Sequence, residues 1–387
     1  MGGSRGLPAT STTTWRTSAT WTRSPERARR RTVEIVDTPE QAAEQALAPL
    51  IVREPLAAYL DAQGLGSGAV GAQRIGAGHS NITYLIRREG SRFVLRRPPR
   101  PPLPPSAHDV LREARLLSAL EGTVARTPRV LATCADESVL GVPFYVMEEV
   151  VGSVVTTELP RALDTVRDRA RIGEELVDAL VEVHAVDWRA AGLGDFGRPT
   201  GYLERQLRRF GGLWEHNKTR ELPLVQEVGD WLARNLPQSP PATIVHGDYR
   251  LGNTMVSGTP PARLLAIFDW ELATIGDPLA DVGYLTATWV QADDPTDTIF
   301  SSLSAVSRRE GFPTREEMIT RYEERSGRSV GSLQWYQALA LWKAAVFMEG
   351  NYNRFLAGTS EDSFLELFGE GVPALAERAW RIGPGQV

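Results

Sequence analysis

One cysteine, two lysines and five histidines are all that this chain of 387 residues contains of those three types. With Cys134 alone, an intrachain disulfide and any cysteine-built zinc or iron–sulfur site are excluded. The five histidines form no His-rich motif, which argues against a hydrolytic metal centre built on imidazoles. Long apolar runs are also missing. The greasiest stretch, Leu339–Phe347, is far shorter than the roughly 18 residues of a membrane helix and carries Lys343. The only lysines are Lys218 and Lys343, so 41 of the 43 basic residues are arginine, a bias read as compositional and not mechanistic. What is present, 42% hydrophobic and 24% charged residues, is ordinary globular composition.

The formal charge of −5 is unevenly spread. Residues 1–32 hold seven Arg, one Glu and twelve Ser or Thr, whereas residues 33–387 carry 36 basic against 47 acidic residues. The acidic bulk lacks the clustered positive charge that nucleic-acid binding needs. No nucleic-acid partner and no membrane association are therefore expected, and a cytoplasmic location is. Residues 1–32 are too polar to offset the entropy of ordering. They read as a disordered tail, with a targeting peptide or an Arg-mediated interaction arm as alternatives.

Periodicity divides the remainder in two. A helical pattern spans Pro39–Ala62, then Gly64, Gly66, Gly68 and Gly71 break the chain. Asn81–Arg88 and Arg92–Arg96 form a predicted hairpin, Pro98–Pro105 a stiff extended loop, Ala107–Leu120 a helix, and Arg129–Cys134 and Phe144–Val150 two further strands. After Gly152 the pattern is helical: a helix ending near His184, then Leu203–Trp214 and Leu224–Leu236. Short strands at Thr243–Val245 and Leu264–Phe268 interrupt it, and mainly helix follows from Pro278. The expectation is an α+β bilobal chain: a tail over 1–32, a β-rich lobe with a leading helix over 33–147, and a larger helical lobe over 148–387.

The stretch Val245-His246-Gly247-Asp248-Tyr249-Arg250-Leu251-Gly252-Asn253, with Asp269 sixteen residues beyond Asn253, carries the chemistry. An Asp, an amide five residues on and a second Asp closing an apolar strand suit phosphoryl transfer. One carboxylate faces an attacking hydroxyl, while amide and carboxylate oxygens suit a hard cation such as Mg²⁺. Taken with Ile267-Phe268-Asp269-Trp270-Glu271 and Gly276-Asp277-Pro278-Leu279-Ala280-Asp281, the chain resembles the aminoglycoside phosphotransferase and choline kinase family. The resemblance covers about residues 71–360. It is strongest to the kinase domains found beside acyl-CoA dehydrogenases and to their free-standing bacterial relatives.

That resemblance implies a protein-kinase-like fold, ATP and Mg²⁺ as cofactors, and a small-molecule hydroxyl as acceptor. Asp248 would be the catalytic base, Asn253 and Asp269 the metal ligands, and His246 and Asp281 supports of the catalytic loop. Gly76, Gly78 and Ser80 precede a strand where backbone can approach phosphates, and they match neither a Walker A loop nor a Rossmann fingerprint. Arg96 stands where kinases place a lysine, with Glu113 on the following helix as its partner, and Arg97 turns to the opposite face. Met147, Glu148 and Val150 form the lobe connector that would offer backbone groups to adenine. A hydroxyacyl-CoA, an aminoglycoside-like compound or a choline-like alcohol stays open as acceptor. The large-lobe tryptophans read as core before cage, His184 as a capping residue, and Arg205, Arg208 and Arg209 as a solvated face before a phosphate site. The competing class is a catalytically weak nucleotide-binding protein that keeps the fold, with oligomeric state undetermined.

Overall fold

The computed structural model describes residues 33–76, 81–101, 103, 108–295, 304–359 and 363–386. Gly78 and Ser80, residues 1–32 and most of the proline-rich run after Arg100 lie outside the described residues.

A five-stranded antiparallel sheet dominates the N-terminal part, in the order β3 (Ser67–Ile75), β4 (Ile82–Glu89), β5 (Ser91–Arg97), β7 (Phe144–Glu148), β6 (Val130–Cys134). The predicted hairpin is β4–β5, with Thr83 opposite Arg96 and Arg88 opposite Ser91. Strand β3 was not expected from the glycines that begin it. It is an edge strand with Val70 as its one buried residue, so no apolar alternation announces it. The single helix expected over Pro39–Ala62 is also corrected. Helix α1 stops after Pro39–Ala43, and the chain then forms β2 (Ile51–Val52), parallel to β1 (Ile35–Val36), before α2 (Arg53–Ala62). Leu50, Ile51, Leu56 and Leu60, apolar residues of the predicted helical pattern, are buried, but Leu47 is exposed.

The sheet's two faces enter different cores. Tyr84, Ile86, Phe93, Leu95, Phe144 and Val146 pack under α2. Leu85, Val94, Tyr145 and Met147 pack against α3 (Val110–Leu120) and join the core of the helical part. Helix α3 starts at Asp109, whose carboxylate accepts the Arg112 N–H at 2.9 Å. Its Val110, Leu116, Leu117 and Leu120 are buried, as is Glu113.

The C-terminal part comprises α5 (Val166–Ala185), α6 (Tyr202–Asn217), α7 (Pro223–Arg234), α8 (Leu279–Thr288), α9 (Arg315–Ser326), α10 (Leu333–Leu356) and α11 (Phe368–Ile382). Helix α10 is its axis, packed by α6, α7, α8 and α11. Two small sheets hold the central loops: β12 (Thr274–Gly276) on β9 (Thr243–Val245), and β11 (Leu264–Ile267) on β10 (Thr254–Val256) on β8 (Ser153–Val154). Among the described residues, no helix is long and apolar enough to cross a membrane.

Candidate active site

Strand β9 delivers His246, Gly247 and Asp248 into a turn held from below by Asp281 on α8. The Asp281 carboxylate accepts the N–H of His246 at 2.6 Å and that of Gly247 at 2.8 Å. Gly247 has φ +89°, and a Cβ there would meet Leu272 at 3.0 Å, so glycine is required on both counts. His184 on α5 faces the same Asp281 carboxylate through Nε2 at 3.4 Å, and Tyr322 on α9 holds its Nδ1 at 2.9 Å. His184 is therefore no helix cap but part of the loop's foundation, a role absent from its local sequence. Burial pulls the Asp281 carboxyl up, but His184 and the Gly247 N–H outweigh it and hold it below the ordinary carboxylate range.

His246 is buried between two partners of opposite character. Its Nε2 donates to the Phe268 carbonyl at 2.9 Å, and its Nδ1 accepts the Asp248 N–H at 3.2 Å. A carbonyl can only accept and an amide N–H only donate, so the ring is neutral with its hydrogen on Nε2. One imidazole thereby ties Asp248 to the residue preceding Asp269.

Asp248 and Asn253 are locked together. The Asn253 side-chain amide donates to the Asp248 carboxylate at 2.7 Å and to the Asp248 carbonyl at 2.8 Å. With its –NH₂ so occupied, Asn253 keeps its carbonyl oxygen for another partner. The Arg250 Nε lies 3.6 Å from the other Asp248 oxygen, and Tyr284 on α8 is near enough to the same carboxylate to feel its charge. Burial first, and the Asp248 charge second, push the Tyr284 phenol well above its usual range, so it stays protonated. Arg250, two residues after Asp248 inside the quoted motif, and Tyr284 had no assigned role in the sequence reading.

Asp269, two residues past the end of β11, has φ 65° and ψ 55°, a left-handed conformation that Asp tolerates better than most residues. Its carboxylate is half-exposed and pairs with Arg96 Nη2. Arg96 Nε donates to Glu113 at 2.9 Å, and the second Glu113 oxygen accepts the Trp270 N–H at 3.2 Å. The Arg96 guanidinium thus bridges β5, α3 and the turn that presents Asp269. Burial alone would lower its pKa, but Glu113, Tyr145 and Asp269 raise it, so its charge is permanent. Arg97 does turn to the opposite face, where it donates to the Leu50, Pro98 and Leu140 carbonyls.

The nucleotide-side residues divide. Gly76 follows β3 with φ +76°. Asn81, just before β4, donates to Glu271 at 3.1 Å, linking the sheet to the residue two beyond Asp269. Met147 is buried in β7 between Val94 and Val130, and Val150 is half-buried in the connector. The Glu148 N–H goes to the Arg129 carbonyl at 2.9 Å, and its carboxylate accepts the Arg129 N–H at 3.0 Å, so that N–H is engaged within the sheet. Trp214, Trp270, Trp289, Trp335 and Trp342 are all buried and form no aromatic cage. Arg205 is spent on the Arg198 and Thr200 carbonyls, while Arg208 and Arg209 stay exposed.

A base candidate beside a free amide oxygen, a second carboxylate and two guanidinium groups suits a polyanion and a hydroxyl. The profile of the phosphotransferase enzyme family matches residues 71–300. The chain belongs to that family. It is 33% identical over 305 residues to acyl-CoA dehydrogenase family member 10 of Mus musculus, an alignment covering 78% of this chain but 28% of that protein. The chain thus spans well under half the length of that relative. A crystal structure from Ralstonia eutropha JMP134, assigned to the aminoglycoside phosphotransferases, is 32% identical with TM-score 0.73, covering 85% of this chain and 97% of that one. Aminoglycoside phosphotransferase APH(4)-Ia, solved with AMP-PNP and hygromycin B, shares the fold at 16% identity and TM-score 0.54. The α+β kinase-like fold expected from the sequence is the fold of the family.

Proposed function

We propose that this chain is an ATP-dependent small-molecule kinase that transfers the γ-phosphate of ATP to a substrate hydroxyl. The observation that carries the proposal is the Asp248 carboxylate, oriented by Asn253 and joined through His246 to the chain that presents Asp269. Asp248 accepts the proton of the acceptor hydroxyl as its oxygen attacks phosphorus. Arg250, beside Asp248, and Arg96, across the cleft, offer pre-positioned positive charge to the transferring group.

The donor set fits Mg²⁺: Asn253 has its amide nitrogen engaged and its oxygen free, and the Asp269 carboxylate is open on one side, two hard oxygen ligands suited to a phosphate-bound cation. When bound, Mg²⁺ would neutralise charge on the phosphates. The branch of relatives beside acyl-CoA dehydrogenases points to a hydroxyacyl-CoA as acceptor, with amino sugars behind it. One observation favours a second reading, a nucleotide-binding protein without transfer: Arg96 replaces the usual lysine and holds Asp269 itself.

An ATP-consumption screen across hydroxyacyl-CoAs, aminoglycosides, macrolides and amino alcohols separates the readings. Transfer requires Mg²⁺-dependent ATP use with one of them, reduced about 10²–10⁴-fold in Asp248→Asn while ATP still binds. ATP binding without turnover in every arm supports the second reading. Wild-type turnover by Asp248→Asn refutes its role as base.

A further inference from the structure

One of the chain's two lysines, Lys343, lies on the long helix that packs against α8, and the transfer chemistry leaves it unused. Lys343 lies on α10 seven residues beyond Tyr336, which puts the two on one helix face. Tyr336 presses on Gly283 of α8 so closely that a Cβ there would lie 2.5 Å from the Tyr336 Cβ. The next residue of α8, Tyr284, is the one whose phenol feels the Asp248 charge. From the neighbouring α6, the ring of Phe210 lies 4.8 Å from the Lys343 ammonium and 5.9 Å from the Arg209 guanidinium. Two cations therefore share one ring.

Among the described residues, neither cation has a carboxylate within 4 Å, whereas the arginines at the site's other edge are paired. Burial pushes the Lys343 ammonium down to about 8, and Arg209 adds to this while Asp281 and Asp248 oppose it. Two like charges on one ring, one of them half-buried, with no carboxylate in contact are costly to hold, and an anion between them removes that cost. A cationic amino sugar or amino alcohol in the same place would add to it.

We propose that Lys343 and Arg209 form an anion-binding pair for the acceptor, so that the kinase acts on hydroxyl compounds carrying a carboxylate or phosphate group. This deepens the transfer reaction proposed above and rests on it. The anion lies over Phe210, and the acceptor hydroxyl faces Asp248.

Calorimetry on the full chain loaded with Mg·AMP-PNP tests the pair. The probes are 3-hydroxybutyrate, its neutral methyl ester, 3-hydroxybutyryl-CoA and ethanolamine. The acid or the thioester is expected to bind at least about 10-fold tighter than the ester, and ethanolamine weakest. The acid points to a carboxylate as the recognised group, and the thioester alone to the coenzyme phosphates. Lys343→Met and the exposed Arg209→Gln should each remove about 10-fold or more of that preference, the scale of a hydrogen bond to a charged group. Equal binding of acid, thioester and ester by the wild type overturns the pair, as does an unchanged preference in both variants. Loss of AMP-PNP binding in the variants overturns it too, because the cations would then serve the nucleotide. If the wild type binds no AMP-PNP at all, the kinase reading falls, and the same four titrations on the free chain still decide the anion site.

Discussion

Arg96 shows what a single guanidinium does that an ammonium does not. It reaches Glu113 through Nε and Asp269 through Nη2, two acids on different elements. Lysine offers one point charge and would have to choose between them. Arg96→Ala is accordingly expected to lower kcat/KM at least about 100-fold, a loss typical of removing a positioned charge from a transfer site. Arg96→Lys should also lose activity, although lysine is usual at this place in kinases; full activity of Arg96→Lys in steady-state assays would show that bridging is dispensable. Lys343 carries the opposite signature, a charge that weakens the fold. With its pKa lowered to about 8 from 10.5, the unfolded chain binds more protons between those values. The destabilisation is thus complete below pH 8 and fades as pH rises to about 10.5. Lys343→Met should gain about 1–3 kcal/mol in denaturant unfolding at pH 7, and the gain should shrink toward pH 10.5.

At the scale of elements, α8 governs the turn that carries Asp248. Its Asp281 carries the His246 and Gly247 N–H groups, and Tyr336 of α10 fixes its distance at Gly283. Asp281→Asn can turn only one oxygen toward those donors, leaving one buried N–H without an acceptor. A loss of about 1–3 kcal/mol is expected for the unsatisfied group, together with a lower kcat, as thermal melts and turnover of the same preparation would show. Because the folded Asp281 pKa is depressed, the stability it contributes is complete above the ordinary carboxylate range and is lost as pH falls below it. Asp281→Asn should therefore flatten the acid limb of the wild-type stability profile. An unchanged limb would remove Asp281 from the loop's foundation.

Across the whole molecule, the face of the sheet that carries Val94 and Met147 shares its core with the helices, while the site residues come from both parts. Mg·ATP held by Arg96 on one side and by Asn253 and Asp269 on the other would bind the folded chain alone. At 100 times Kd it should raise stability by about 2.7 kcal/mol. The measurement is a thermal shift with ATP, repeated after chelation of Mg²⁺; a shift that chelation and Asp269→Ala both leave intact would exclude a shared metal site.

Sequence by itself determined the fold class, the β4–β5 hairpin, the buried face of α5 and the cluster from His246 to Asp281. Each rests on periodicity or on spacing within one short stretch, where neighbours in sequence are neighbours in space. The Arg96–Glu113 pair was legible for the same reason, being a strand end and the helix after it. Strand β3 and the broken helix after Pro39 were not, since an exposed edge strand has no apolar alternation and a two-residue strand is too short to have a period. Only the tertiary structure brought His184 to Asp281 across 97 residues, Asn81 to Glu271 across 190 and Arg96 to Asp269 across 173. It alone also set Lys343 and Arg209 over Phe210. Such contacts depend on how helices and sheet pack, and packing is decided by side-chain volume and burial summed over the chain, which no local pattern encodes.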